Sequence, residues 1–346
     1  MSKFIPIILA SALVSFLAPP LIRMLAQSVG FVDNPEARKL HVTPVPLLGG
    51  VAIYAGFVTA LMMAGTQPVN ELFGVLGGAT LIMSFGLWDD RNGMRPLVKL
   101  GGQAAAAGIL IWSGIQITLF SSQALNIALT VLWVVGICNA LNFLDNMDGL
   151  AAGLTMVSGG FFLILAVVEG LGLVATLAAA TVGACLGFLY YNFNPATLFM
   201  GDAGSLLLGF VLAVLGMKLK FVGRPLNVTW MIPVVILGLP IFDTTLVVIS
   251  RLRRGQPVYQ GGKDHTSHRL MARFGMTQTR AVMTLYLVSA VLGMAALMLR
   301  DAAPGQARWL LAVLAALFVA ALVWLERRFD PERRAEHPAD DDAGTR

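Results

Sequence analysis

Apolar runs alternate with short polar breaks along most of this chain, and the acidic residues collect in the breaks. Eleven runs can be traced, at 4–25, 48–64, 72–88, 97–113, 124–140, 150–168, 171–190, 204–217, 230–250, 282–299 and 309–325. A membrane-crossing helix needs about 20 apolar residues, so each run is expected to form one, with the shorter runs broken at Gly or Pro. Membrane helices tolerate such breaks where neighbours satisfy the freed backbone groups. The expected fold is therefore all-α, a polytopic integral membrane protein of about eleven transmembrane helices. Residues 1–325 form one membrane-embedded domain, and 326–346 form a charged tail with too little apolar surface to order itself. The first run has the length of a signal peptide but lacks a small-residue cleavage site, and reads as the first helix.

Composition agrees with this pattern. Hydrophobic residues make up 57% and charged residues 12% of the chain, where soluble domains carry about 25% charged residues. Neither a soluble enzyme nor a nucleic-acid partner is expected. Cys138 and Cys185 both lie inside apolar runs and read as packing residues. The basic residues orient the chain, because cytoplasmic loops carry the excess of Lys and Arg. With the N-terminus outside, 18 of the 24 fall on the inner side, and only the stretch from Lys218 to Arg224 runs against the bias. An odd number of spans then puts the C-terminus in the cytoplasm.

In that orientation Asp89, Asp90, Asp145, Asp148 and Asp202 all fall at cytoplasmic ends of spans. An aspartate at mid-bilayer costs roughly 2.5–3.5 kcal/mol, so such residues are rare without a use. Any one of them can be a cap or an interfacial residue, and Asp148, just before a new helix, is an N-cap candidate. Five on one face point to a metal ion and phosphate chemistry. Magnesium is held by one or two carboxylates, with waters and substrate phosphates completing the shell. Asp202 is the leading ligand candidate, flanked by Gly201 and by Ala203-Gly204-Ser205 where a loop enters a helix, and helix N-termini favour anions. Asn142, Asp145 and Asp148 recur every three residues and are expected to share a face on a helix or tight turn, with Asn142 offering a neutral oxygen. Lys99 is placed to neutralise the acids or to bind phosphate. The stretch from Arg251 to Arg280 carries seven basic residues, one acid (Asp264), and His265 and His268. It reads as a surface patch for anionic lipids or as a phosphate clamp. Zinc is less supported, since two histidines three apart lack further ligands.

Several segments stand in a fixed order: RKLHVTPVPLLGG (38–50), the Asp89–Asp90 pair, NALNFLDNMDGLAAG (139–153), FNPATLFMGDAGS (193–205), PIFDTT (240–245) and the His loop. The ordered set resembles the polyprenyl-phosphate N-acetylhexosamine-1-phosphate transferases, integral membrane enzymes that start bacterial cell-envelope glycans. The likeness is greatest to the branch that uses UDP-N-acetylglucosamine. It implies transfer of N-acetylglucosamine 1-phosphate from that donor to undecaprenyl phosphate, with release of UMP. It also implies roles for residues. Asp202 and Asn142 would hold Mg2+, with Mn2+ as the alternative ion. Lys99 would meet the pyrophosphate, Asp145 and Asp148 the uridine end, and Phe199 would stack near the uracil. His265, His268 and Arg269 would hold the sugar phosphate, and Lys39 and Asn139 would add substrate contacts. Asp89 would be the base toward the lipid phosphate, with Asp90 beside it. The setting implied is the bacterial inner membrane, among its lipids, with the site on the cytoplasmic face; a homodimer is compatible with it. Ser267 departs from the His-x-His-His of many relatives.

Physical chemistry qualifies the base. A phosphate monoester has a second pKa near 6, so the acceptor is largely a dianion at neutral pH and needs little deprotonation. Bringing two anions together is the harder task, met by positioning and electrostatic stabilisation. Two alternatives stay open: another UDP-N-acetylhexosamine donor, and a secondary transporter with intramembrane acids. A transporter is expected to show internal repeats, and none is evident. A CDP-alcohol transferase would need Arg where this chain has Gly153.

Overall fold

A computed structural model describes residues 1–33, 45–63, 69–221, 223–224, 226–259 and 261–327. The described chain is built of helices: α1 (Ile5–Leu17), α2 (Pro19–Ser28), α3 (Gly49–Met63), α4 (Val69–Asn92), α5 (Pro96–Trp112), α6 (Gln123–Leu144), α7 (Leu150–Val168), α8 (Gly172–Asn192), α9 (Gly201–Lys218), α10 (Leu226–Thr229), α11 (Met231–Ile236), α12 (Gly238–Arg253), α13 (Thr266–Phe274), α14 (Gln278–Asp301) and α15 (Pro304–Arg327). Two short strands, β1 (Val32–Asp33) and β2 (Val45–Pro46), pair antiparallel.

Eight helical segments are long and apolar enough to cross a membrane, counting α1 and α2 together, and α3 and α5 are apolar but shorter. The expected span at 230–250 is divided among α11 and α12, with a turn at Leu237 between them. Helix α15 continues to Arg327, so Glu326 and Arg327, assigned from sequence to the tail, are helical. The rest of the expected tail lies outside the described residues.

Helices α8 and α9 are the centre of the bundle and bury most of their residues, whereas α15 fully buries few of its own. Small residues set the close approaches, as expected where lipid offers no hydrophobic drive and packing must supply the contact. On α1 the buried positions are Ile7, Ser11 and Ser15, spaced by one turn so that they share a face. Ser11 Oγ donates to the carbonyl of Ala180 on α8 at 2.7 Å. Gly86 lets α4 meet α9, where a Cβ would stand 2.4 Å from Ala203 Cα.

Short turns at 93–95, 145–149 and 193–200 join α4 to α5, α6 to α7 and α8 to α9. Helices α4, α6 and α8 therefore arrive at one face, and α5, α7 and α9 leave from it. Every aspartate singled out from the sequence lies at that face.

Candidate active site

Lys99, in the first turns of α5, is the hub of the acidic cluster. Its ammonium donates to Asn142 Oδ1 at 3.1 Å and to the Asp202 carboxylate, and pairs with Asp89 Oδ2 at 3.0 Å. Asn142 Nδ2 in turn donates to Asp202 Oδ1 at 2.8 Å and to Ser205 Oγ at 2.9 Å. One cation is thus ringed by oxygens from the ends of α4, α6 and α9. Asp89, Asn142 and Asp202 all sit inside helices, so their backbone is fixed and the cluster needs no loop to assemble it.

Asp90, expected beside the base, turns the other way. Its carboxylate accepts the backbone N–H groups of Asp202 at 2.7 Å and Ala203 at 3.1 Å. These are among the unsatisfied donors at the start of a helix, and an acid there also favours the helix dipole. Gly201 makes the approach feasible. Its φ is +68°, and a Cβ there would lie 2.5 Å from the Asp90 carboxylate. Asp90 therefore positions Asp202. The preceding turn is fixed from the other side, where Gly49 N–H and Gly50 N–H donate to the carbonyls of Phe199 (2.9 Å) and Met200 (3.0 Å). Phe199, expected to stack on a base, is half-buried, and its N–H donates to Pro46 O at 3.0 Å.

Asn142, Asp145 and Asp148 do not lie on one helix. Helix α6 ends at Leu144, Asp145 leaves helical geometry with ψ of 52°, and the turn separates the three. Asp148 does not cap α7, whose N-cap is Gly149. Its Oδ2 accepts from Asn194 Nδ2 at 2.9 Å and Ala196 N–H at 3.0 Å, tying the 145–149 turn to the 193–200 turn. Among the described residues nothing hydrogen-bonds the Asp145 carboxylate. Burial pushes its pKa up to about 8, and the charges of Asp202, Asp90 and Asp148 push the same way. A carboxyl so placed suits a ligand carrying N–H or O–H donors. Asn139, one turn deeper, donates to Gln103 Oε1 at 2.7 Å and holds α6 to α5. Lys39 lies outside the described residues.

The His loop packs over this turn. Ser267 Oγ donates to Asn146 Oδ1 at 2.6 Å, and the rings of Phe143 and His265 meet edge-on at 6.3 Å. His265 Nδ1 lies 2.8 Å from Asp243 Oδ2, and Asp243 Oδ1 accepts the N–H of Thr266 at 2.6 Å. A buried carboxylate on one ring nitrogen fixes the imidazole orientation and leaves the other nitrogen for a ligand. His268 is only partly exposed; burial first, then the charges of His265 and Lys263, lower its pKa to about 4. It is a neutral hydrogen-bonding group at neutral pH rather than a cation.

The arginines of this loop are largely engaged within the fold. Arg251 grips Asp264 through Nε at 2.9 Å and Nη2 at 2.8 Å, and Arg254 Nη2 adds a third contact at 2.8 Å. Burial raises the Asp264 carboxyl, but Arg251 outweighs it and holds the pKa at about 2. Arg269, expected on the sugar phosphate, is 3% exposed and bonds to Ser250, Asp264, Leu325 and Glu326. Sequence reasoning passed over Asp243, Asn146 and Gln103. Asp243 had a signal, since it is an acid inside an apolar run, the criterion already applied to the other five.

Among the described residues no three His, Cys, Asp or Glu side chains gather as a metal-binding group. That donor set does not suit structural zinc, which wants four ligands. It does suit magnesium, which takes one or two carboxylates and hard neutral oxygens and leaves the rest to substrate. Asp202 and Asn142 are such a pair.

Residues 72–220 match the sequence family described as Glycosyl transferase family 4. That interval contains the acidic cluster and stops short of the His loop. A Bacillus subtilis (strain 168) protein named "Probable undecaprenyl-phosphate N-acetylglucosaminyl 1-phosphate transferase" is 35% identical over 314 residues, 87% of this chain and 86% of its own. Decaprenyl-phosphate N-acetylglucosaminephosphotransferase of Mycobacterium tuberculosis (strain ATCC 25618 / H37Rv) is 33% identical over 81% of this chain and 78% of its own. Undecaprenyl-phosphate alpha-N-acetylglucosaminyl 1-phosphate transferase of Yersinia pestis is 29% identical over 79% and 78%.

Proposed function

The chain belongs to glycosyl transferase family 4, the polyprenyl-phosphate N-acetylhexosamine-1-phosphate transferases, and from that premise we propose that it transfers N-acetylglucosamine 1-phosphate from UDP-N-acetylglucosamine to undecaprenyl phosphate. The products are undecaprenyl-pyrophosphoryl-N-acetylglucosamine and UMP. The acceptor phosphate oxygen attacks the β-phosphorus of the donor, and the bond from that phosphorus to the bridging oxygen breaks, leaving UMP. The observation that carries this reading is the ring of Asp89, Asn142 and Asp202 around Lys99 at the ends of apolar helices. A lipid acceptor and a water-soluble nucleotide can meet only at such a face.

Among the described residues Lys99 is the cation set among these acids, and its donors can turn from protein oxygens to phosphate oxygens. Magnesium, or manganese in its place, would be held by Asp202 and Asn142 and would supply positive charge against the pyrophosphate. Asp89 holds Lys99 and faces the acceptor; its role is electrostatic more than that of a base, because the acceptor is largely ionised at neutral pH. Asp145, whose carboxylate accepts no hydrogen bond among the described residues and whose pKa is pushed up by burial, offers contacts to the uridine. His265, oriented by Asp243, and neutral His268 cover the sugar phosphate from the loop side.

The basic residues support an inner-membrane orientation with the N-terminus outside, eleven crossings and the site facing the cytoplasm. Cysteines introduced at Asn92 and Gly262 should then resist impermeant thiol reagents applied to intact cells. The decisive experiment uses purified protein, undecaprenyl phosphate, magnesium and a panel of UDP-sugars. UMP release with UDP-N-acetylglucosamine and not with UDP-glucose is the expected result. Release with another N-acetylhexosamine alone would reassign the donor, and no acceptor-dependent release with any would overturn the reading.

A further inference from the structure

Helix α15 leans lightly on the body of the protein, yet its last turn is locked to the His loop. Arg269 Nη1 donates to Leu325 O and to Glu326 Oε2, both at 3.0 Å. Its Nη2 donates to Ser250 Oγ on α12 at 2.9 Å, and its Nε to Asp264 O at 2.7 Å. Arg253 pairs with the other Glu326 oxygen at 3.3 Å. Arg273 lies 3.9 Å over the Trp324 ring, on which Phe274 also stacks. Below these contacts Leu325, Phe242 and Leu246 form a small separate apolar cluster with Phe318. Adjacent residues of α12 thus face two ways: Phe242 toward α15, and Asp243 toward His265.

Helix α13 has nine residues. Helices shorter than about 12–15 residues are marginal without tertiary contacts, so this one depends on its anchors. Asp243 fixes its N-terminus, and Arg269 fixes its middle. An exposed ion pair would contribute little, but the Arg269 and Glu326 side chains are only 3% and 9% exposed. Removing one partner of a buried pair leaves the other uncompensated and is strongly destabilising locally.

We propose that Glu326 is a positioning residue for the donor site: through Arg269 it holds α13, and with it His265 and His268, over the acidic turn. The last helix is then a strut for the His loop. This rests on the proposed function for its kinetic consequence only. Glu326 touches no reacting group.

The test uses the full chain in lipid nanodiscs, with Glu326→Ala and the milder Glu326→Gln, which keeps an acceptor oxygen. Hydrogen exchange without substrate should speed up about tenfold or more across 262–274 in Glu326→Ala, with 201–218 unchanged. Displacing positioned groups by about 1 Å can cost on the order of 10²-fold, so a partial loosening should raise the KM for UDP-N-acetylglucosamine about tenfold. The KM for undecaprenyl phosphate should stay within about twofold, and Glu326→Gln should fall between wild type and Glu326→Ala. Unchanged exchange at 262–274 together with an unchanged donor KM would overturn the proposal. So would losses spread equally over both KM values and over 201–218, which mark general destabilisation. If wild type releases no UMP, the functional reading fails while the exchange measurement still decides the strut.

Discussion

In the acidic cluster one lysine joins acids from two helices and an amide from a third; in the His loop the arginines outnumber the acids, yet the fold already engages most of them. Lys99 reaches Asp89, Asn142 and Asp202, which are 10, 43 and 103 residues away in sequence. Arg251 and Arg254 instead close on Asp264, 13 and 10 residues away, and Arg269 joins the Asp264 carbonyl to Leu325 and Glu326 of the last helix. The first arrangement lends itself to exchange, because a cation shared between two carboxylates and an amide can trade them for phosphate. The second is a folded scaffold whose charges are matched before any ligand arrives. Positive charge in a sequence is therefore a poor guide to which residues meet an anion. What counts is whether an acid or carbonyl of the fold has already claimed the donors.

The largest expected effect breaks the exchange arrangement. Asp202→Asn keeps the volume but removes the carboxylate shared by Lys99 and Asn142, and Lys99→Met removes the hub itself. Loss of one preorganised electrostatic group typically costs 10²–10³-fold in kcat. Either substitution should reach at least about 10³-fold, because each unpairs the remaining groups as well. Acceptor-dependent UMP release at saturating magnesium is the measurement. Near-normal turnover in either variant would make the cluster scaffolding too, and the contrast with the His loop would vanish.

Asp89 is next. A general base contributes about 10²–10⁴-fold, so if Asp89 removes a proton, Asp89→Asn should be rescued well above the acceptor's second pKa, near 6. Protonated acceptor is abundant below that pKa and scarce above it, so rescue would have to grow as pH rises. The salt bridge to Lys99 points the other way. We expect a loss of about 10²-fold that is nearly flat with pH, and strong recovery at high pH would return Asp89 to the role of base.

The elements and the site were legible to different degrees. Apolar runs located the helices, because a 20-residue run has few other fates in a membrane chain. The ends were misjudged wherever a polar residue stopped the run but not the helix. Asp89, Asp90, Asn142 and Asp202 all lie inside helices that hydropathy had ended short of them. The period of three at Asn142, Asp145 and Asp148 leaves helix and tight turn open, and the structure has the helix for Asn142 and the turn for the other two, since α6 stops at Leu144. Roles hidden in backbone hydrogen bonds were beyond reach. Asp90 looked catalytic beside Asp89, and only the geometry reveals its two bonds to the start of α9. Arg269 likewise looked like an anion ligand, because its partners at 325–326 are distant in sequence.

The scaffold side of the comparison should yield smaller effects. Asp243→Asn keeps a hydrogen-bonding group beside His265 but loses the charge that fixes the ring. A loss of about tenfold is expected, the low end of what a misoriented functional group costs. It should appear in donor KM more than in acceptor KM. A loss as deep as that of Asp202→Asn would mean that His265 acts on the reacting atoms directly.

The smallest effect tests whether the two regions act together. Ser267 donates to Asn146 across the gap between them at 2.6 Å, in a turn that also carries Asp145. A hydrogen bond of this kind is worth about 0.5–1.5 kcal/mol net, so Ser267→Ala alone should lower donor affinity about three- to tenfold. Asp145→Asn should lower it by a separate route, through the nucleotide. If the bond to Asn146 holds the turn in place for Asp145, the losses will not multiply. Once Asp145 is replaced, freeing the turn has less left to disturb. Donor affinity for the two single variants and the double variant closes this cycle. A product of independent losses would show that acidic cluster and His loop bind their parts of the donor separately. A shortfall from the product would show that Ser267 links the two.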